Sequence, residues 1–244
     1  MEDRPMTLIE HLEELRRRLL ISIAAFLVGM IVSWLFVDRI LGALIRPIGH
    51  VVFLAPTEAF FVRLKVAALA GVFVSLPVVL VQIWLFVSIG LTRTERRYTL
   101  SLLPVSLVLF VAGALFAFFA ILPVGVRFLL SYQTPDLVPM ISVAAYTSFA
   151  TAFVLAFGLV FQLPIVILFL ARLGIVTSQS LAAWRRYAVL GIAVASAVLT
   201  PGGDLFSMVL MAAPTYLLYE ASIWIARFVA PKSVERQQSA LGSE

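Results

Sequence analysis

Residues 19–37 read LLISIAAFLVGMIVSWLFV, an uncharged run in which nothing is more polar than Ser22, Ser33 and the indole of Trp34. As a helix rising 1.5 Å per residue the run reaches about 28 Å, close to the roughly 30 Å of a bilayer's hydrocarbon core. Working outward, gaps between charged residues mark five further apolar stretches, with spans expected near 66–88, 98–123, 147–170, 187–199 and 205–226. Composition agrees: the 244 residues are 62% hydrophobic and 13% charged, with a mean hydropathy of +1.08. Soluble domains run at about 45–50% apolar and about 25% charged, so a water-soluble globule is excluded. The 12 prolines and 13 glycines lie within apolar stretches lacking period-two alternation, which favours helices over a membrane barrel. The fold class expected is an all-α integral membrane protein of six transmembrane helices.

The fifth and sixth segments are expected to be short. Only 13 residues, Tyr187 to Leu199, precede the turn Thr200-Pro201-Gly202-Gly203, and the sixth is interrupted by Pro214 and Glu220. Thirteen helical residues reach about 20 Å, so the bilayer thins there or the hairpin stops partway. Orientation follows from the basic residues, which are retained in short cytoplasmic loops. With both termini cytoplasmic, 13 of the 18 Lys and Arg fall on the inner side. The other five, Arg39, Arg46, Arg63, Lys65 and Arg127, fall outside. Residues 1–18 form a cytoplasmic segment and 227–244 a cytoplasmic tail. The acidic character and long apolar run of the N-terminal region do not fit a cleavable signal peptide.

Several chemistries are absent. There is no G-x-x-x-x-G-K-[ST] phosphate cradle, no G-x-S-x-G elbow and no cysteine. His11 and His50 are expected on opposite sides of the membrane, with no second ligand at helical spacing to hold a metal. No cofactor, metal or nucleic-acid site is expected, and the reading is not an enzyme but a transport or assembly protein.

The segment TLIEHLEELRRRL, residues 7–19, reads as an amphipathic helix. Thr7 and Glu10 form a capping box, and Leu8, Leu12, Leu15 and Leu19 make one apolar stripe to lie along the interface or against the bundle. Glu13 with Arg17 and Glu14 with Arg18 are i,i+4 pairs that a solvated face alone explains.

His11–Leu19 as H-L-x-E-L-R-x-R-L resembles the N-terminal signature of the TatC family, the polytopic core subunit of the twin-arginine protein translocase. The resemblance continues through Pro47, Pro56-Thr57-Glu58-Ala59-Phe60, Lys65, Pro77, Gln82-Ile83-Trp84-Leu85-Phe86, Gly90-Leu91 and Glu95-Arg96-Arg97. It ends with Phe157–Pro164, Arg186-Tyr187, Thr200–Asp204 and Leu218-Tyr219-Glu220, so it spans nearly the whole chain. The family implies a cupped bundle of kinked helices in the cytoplasmic (inner) membrane. It further implies proton-motive-force-driven export of folded proteins, recognition of twin-arginine signal peptides, and assembly with single-span subunits of the TatA and TatB type in a larger, self-associating complex.

Glu14 and Glu95 match the family's signal-recognition positions. Carboxylates suit that task because guanidinium and carboxylate form bidentate charge-assisted bonds. Arg16 and Arg18 would hold the carboxylates in place and Phe86 would support the signal's apolar part. For Glu95 the plain alternative is helix capping by Thr94-Glu95. Pro47, Glu58 and Asp204 are family-motif positions on the outer side, Asp204 also reading as a cap of the sixth span. Gln162 lies at mid-depth of span four, where the family usually has glutamate. Glutamine keeps donors and an acceptor but cannot change charge, which weakens any mechanism that titrates this side chain. It reads as a polar contact for a signal or partner helix, or as an interhelical bond, for which Gln82 is a partner. Pro77, Pro104, Pro164 and Pro214 are expected to bend their spans. A different class, a proton-coupled secondary transporter of a small solute, fits intramembrane polar groups and broken helices. Against it stand the missing internal repeat and a single acid, Glu220, inside a span.

Overall fold

The computed structural model describes residues 8–49, 51–134, 140–200 and 204–229. The Thr7 cap, His50, the side chain of Leu8, the turn 201–203 and most of the tail lie outside the described residues. The elements are helices α1 (Leu8–Trp34), α2 (Val37–Ile45), α3 (Pro56–Val87), α4 (Arg93–Ser101), α5 (Leu103–Phe116) and α6 (Leu122–Leu130). They continue with α7 (Val143–Val160), α8 (Leu163–Arg172), α9 (Ser178–Ala183), α10 (Arg185–Leu199) and α11 (Leu205–Val229). Among the described residues there is no strand, and an isolated parallel bridge joins Val52 and Ser142. The protein is all-α.

Four helical stretches, Pro56–Gly90, Arg93–Leu130, Val143–Arg172 and Leu205–Val229, are long and apolar enough to cross a membrane. A fifth is gained if α1 and α2, bent by 79° at their break, count as one. Large side chains such as Ile31 and Val198 are 70% and 79% exposed, as suits surfaces solvated by lipid. The amphipathic segment and the first apolar run are one helix: α1 has 27 residues and reaches about 40 Å. The uncharged run is not straight to its end, because the chain turns at Leu35 and Phe36 and leaves as α2. Of the two segments expected to be short, α10 has 15 residues, about 22 Å, whereas α11 has 25 and reaches about 38 Å.

Prolines act in two ways. Pro77 and Pro214 sit inside uninterrupted helices. Beside the latter, the Thr215 hydroxyl donates to the Met211 carbonyl at 2.7 Å. Pro104 and Pro164 instead follow breaks, each the second residue of a new helix, where a missing N–H costs no intrahelical bond. Pro123 does the same for α6, directly after a π-helical turn at Ala117–Ile121 that the sequence reading did not anticipate. Span three is therefore segmented into α4, α5, the π turn and α6.

The residues fall into two compact units, one of residues up to Ala43 with Arg63–Leu107, the other of Leu44–Val62 and the chain from Val108 onward. In the first, α1 meets α3 backbone to backbone: a Cβ on Gly71 would stand 2.8 Å from both the N and Cα of Met30, and one on Gly29 would stand 2.8 Å from the Gly71 carbonyl oxygen. Small residues at such a crossing let helices approach closely in lipid. The Trp84 indole donates to the Ser106 hydroxyl at 3.1 Å, tying α3 to α5. In the second unit α11 packs on α8 and α10, around a core of Ile167, Ala171, Tyr219, Ile223 and Ala226. Gly71→Ala is expected to lower the thermal midpoint in detergent, since overpacking costs about 1–3 kcal/mol. Gly42→Ala, whose Cβ meets nothing within 4 Å, is expected not to; equal midpoints for the two variants would contradict the close crossing.

Candidate functional site

The N-terminal part of α1 presents two faces. Leu12, Leu15 and Leu19 are exposed, so the apolar stripe points outward, while Glu14 and Arg18 are partly withdrawn. His11, Glu14 and Arg18 are spaced three and four apart and share a face. That face meets Gln82 and Phe86, one turn apart on α3. The Arg18 guanidinium pairs through Nη2 with the Glu14 carboxylate, and its Nη1 donates to Gln82 Oε1 at 3.1 Å. Its Nε is buried without a hydrogen-bond partner. The His11 and Phe86 rings lie 4.7 Å apart, tilted by 30°. Gln82, expected as a partner for Gln162, thus spends its carbonyl on Arg18. Arg16 is exposed and, among the described residues, makes no ion pair; nor do Glu13 and Arg17 with one another.

Glu95 sits in the first turn of α4, ahead of the apolar stretch that begins at Tyr98. Its Oε2 accepts from the Thr92 backbone N–H at 2.9 Å and from the Thr92 hydroxyl at 2.8 Å, and the Glu95 N–H returns to Thr92 Oγ1 at 3.5 Å. This is a reciprocal capping box with Thr92, not Thr94, as the cap. These bonds, the hydroxyl's first and the backbone's second, hold the carboxyl below its ordinary 4.5. Every bond to the carboxylate uses Oε2, leaving Oε1 without a hydrogen bond among the described residues. The structure thus brings His11, Glu14, Arg18, Gln82 and Phe86 together and sets Glu95 in a separate capped turn.

In the second unit Glu58 staples the segment before α3 to the start of α7: its Oε2 accepts from the Leu54 N–H at 2.9 Å and its Oε1 from the Ser142 hydroxyl at 3.3 Å. Ser142 in turn caps α7 through the N–H groups of Ala144 and Ala145. Pro47 lies exposed in the turn after α2. Asp204 Oδ1 accepts from the Ser207 N–H at 2.7 Å, the bond of an N-cap on α11. Gln162 is half-buried at the break between α7 and α8, where its backbone carbonyl accepts from Ile165 and Val166. Glu220 is held bidentately by Arg185, at 2.8 and 2.9 Å, and accepts from the Tyr216 hydroxyl at 2.9 Å.

The family model of the Sec-independent protein translocase protein (TatC) matches residues 10–214. The chain belongs to the TatC family. A Sec-independent protein translocase protein TatC of Carboxydothermus hydrogenoformans is 45% identical over 95% of this chain and 97% of its own. That of Aquifex aeolicus is 38% identical over 96% and 100%. A crystal structure described as the twin-arginine translocase receptor TatC superposes with a TM-score of 0.82 at 39% identity, over 89% of this chain and 98% of the other. Membership makes this TatC-family chain a multi-pass membrane component of a protein translocase, a transport role that works with other Tat subunits.

Two features escaped the sequence reading. His11, expected as part of the family signature and weighed as a metal ligand, is an aromatic neighbour of Phe86. Thr92 caps Glu95 through Thr92-Arg93-Thr94-Glu95, whose T-x-x-E spacing carries the capping signal. Because the folded Glu95 pKa is depressed, its contribution is present above about 4.5 and is lost as pH falls through the folded value. Thr92→Val is expected to lower the thermal midpoint by about 2–4 °C at pH 7, with the difference shrinking at pH 3.5; a pH-independent difference would contradict the ionised cap.

Proposed function

We propose that this chain is the core receptor subunit of a twin-arginine translocase. It binds twin-arginine signal peptides at its cytoplasmic face and nucleates assembly with single-span Tat subunits for proton-motive-force-driven export of folded proteins. The observation that carries the reading is Glu95: a carboxylate kept ionised at neutral pH, anchored through one oxygen and open through the other. A guanidinium from the signal gains a charge-assisted bond there without first breaking an internal ion pair. Glu14 is the second carboxylate, already bonded to Arg18, and a signal arginine reaching it shares or displaces that guanidinium. Phe86, tilted against the His11 ring, gives an aromatic surface beside this pair for the signal's apolar part. Arg16, exposed on the same helix, is a charge that repels a misplaced signal arginine rather than a brace for the carboxylates.

Both termini, the positively charged loops and Glu95 stand on the cytoplasmic side of the inner membrane in this reading. Gln162, unable to titrate, serves as a polar contact for a signal or partner helix, and proton coupling rests on other groups. The transporter reading loses its one candidate acid, since Glu220 is consumed by Arg185 and Tyr216.

Photocrosslinkers placed singly at residues flanking Glu14 and Glu95 are expected to capture a precursor carrying Arg-Arg and to lose most of that signal when the pair is Lys-Lys. Glu95→Lys is expected to abolish the crosslink near the α4 turn. Equal capture of both precursors, or none of either, would contradict the receptor reading.

A further inference from the structure

A cavity of about 510 Å³ opens between the segment that follows α8 and helices α9, α10 and α11 in the second unit. Its rear wall is fixed. Gly174, at a φ of +73°, reverses the chain after α8, a conformation that glycine adopts without strain. Val176, Leu181 and Ala188 then pack against the Ile167–Tyr219–Ile223 core. The Tyr219 hydroxyl donates to the Leu181 carbonyl at 2.7 Å, locking the two walls together. The front is different: Trp184 and Tyr187 line the opening and are 65% and 55% exposed.

Two arginines stand at this rim. Arg185 is committed to Glu220. Arg186 is exposed, lies with its guanidinium 4.8 Å from the Tyr187 ring centroid, and makes no ion pair among the described residues. Exposed Trp and Tyr beside a basic pair at the start of an apolar helix is the pattern of side chains at the headgroup level of a membrane. Val189, Leu190, Val194 and Val198 of α10 continue the exposed apolar surface away from that rim.

A ligand for this place has an apolar chain for the Val176, Leu181 and Ala188 wall and a negative group for Arg186. We infer that the cavity binds one anionic phospholipid, an acyl chain within it and the phosphate on Arg186, with Trp184 and Tyr187 flanking the glycerol region. The assignment is independent of signal binding. It makes an annular lipid a fixed component of the α10–α11 pair.

The test is native mass spectrometry of the full chain, purified in detergent and delipidated, then titrated with dioleoyl phosphatidylglycerol or dioleoyl phosphatidylcholine. The wild type is expected to take up one phosphatidylglycerol with an affinity about fivefold above that for phosphatidylcholine, the increment expected of one basic residue at an anionic surface. Arg186→Ala is expected to equalise the two lipids and Arg186→Lys to keep the preference, a comparison that stands whether or not cavity-filling variants fold. Ala188→Phe is expected to reduce uptake of both. An unchanged preference in Arg186→Ala overturns the assignment. So does a cavity that shows no lipid preference but binds the synthetic membrane helix of a single-span Tat subunit in the wild type and not in Ala188→Phe, which would assign the site to a partner protein.

Discussion

The placement of the N-terminal end of α1 depends on Arg18. Its guanidinium is drawn off the aqueous surface and shared between a carboxylate one turn earlier on its own helix and the amide of Gln82 on α3. A partly buried cation without such partners is costly, so the two contacts act as one constraint. They set the rotation of α1: the Glu14 and Arg18 face turns inward to α3, and Leu12, Leu15 and Leu19 must turn out. Further along, the Gly29 and Gly71 crossing holds the same two helices at backbone distance, so the polar contact and the close packing specify one arrangement.

That constraint gives the two carboxylates proposed for signal recognition unequal states. Glu14 is neutralised in place by an arginine of its own chain, whereas Glu95 has no ion pair among the described residues and is oriented by Thr92. Hydrogen bonds from neutral donors leave a carboxylate its full charge and lower its proton affinity; an ion pair leaves it little net attraction for a second cation. In the proposed receptor an incoming pair of arginines therefore meets one open site and one that already contains the geometry of a bound arginine. The outward stripe on α1 adds apolar surface beside them.

How much of this was legible in the sequence follows from which interactions are local. Uncharged runs mark where helices cross, because the penalty for charge in hydrocarbon acts on every residue. The Thr92–Glu95 box and the Asp204 cap are local too, and their spacing carries them. The Arg18–Gln82 bond joins residues 64 apart, and Glu58–Ser142 joins residues 84 apart; no periodicity reveals such pairs, and the expected partner for Gln82 was accordingly another. Prolines were legible as positions but not as forms. Four were expected to bend spans, yet a proline at the first turn of a new segment and one inside a continuing helix look alike in sequence, so the unbroken length of α11 through Pro214 and the break before Pro164 required the structure.

In the proposed receptor Glu95 is the open acceptor for a signal arginine. The decisive measurement is the affinity of the detergent-purified protein for a synthetic signal peptide, in Arg-Arg and Lys-Lys versions, against the wild type and Glu95→Gln. The Arg-Arg peptide is expected to bind the wild type more tightly and most of this preference to disappear in Glu95→Gln, with Thr92 still available to start α4. An Arg-Arg preference of the same size in Glu95→Gln would contradict it.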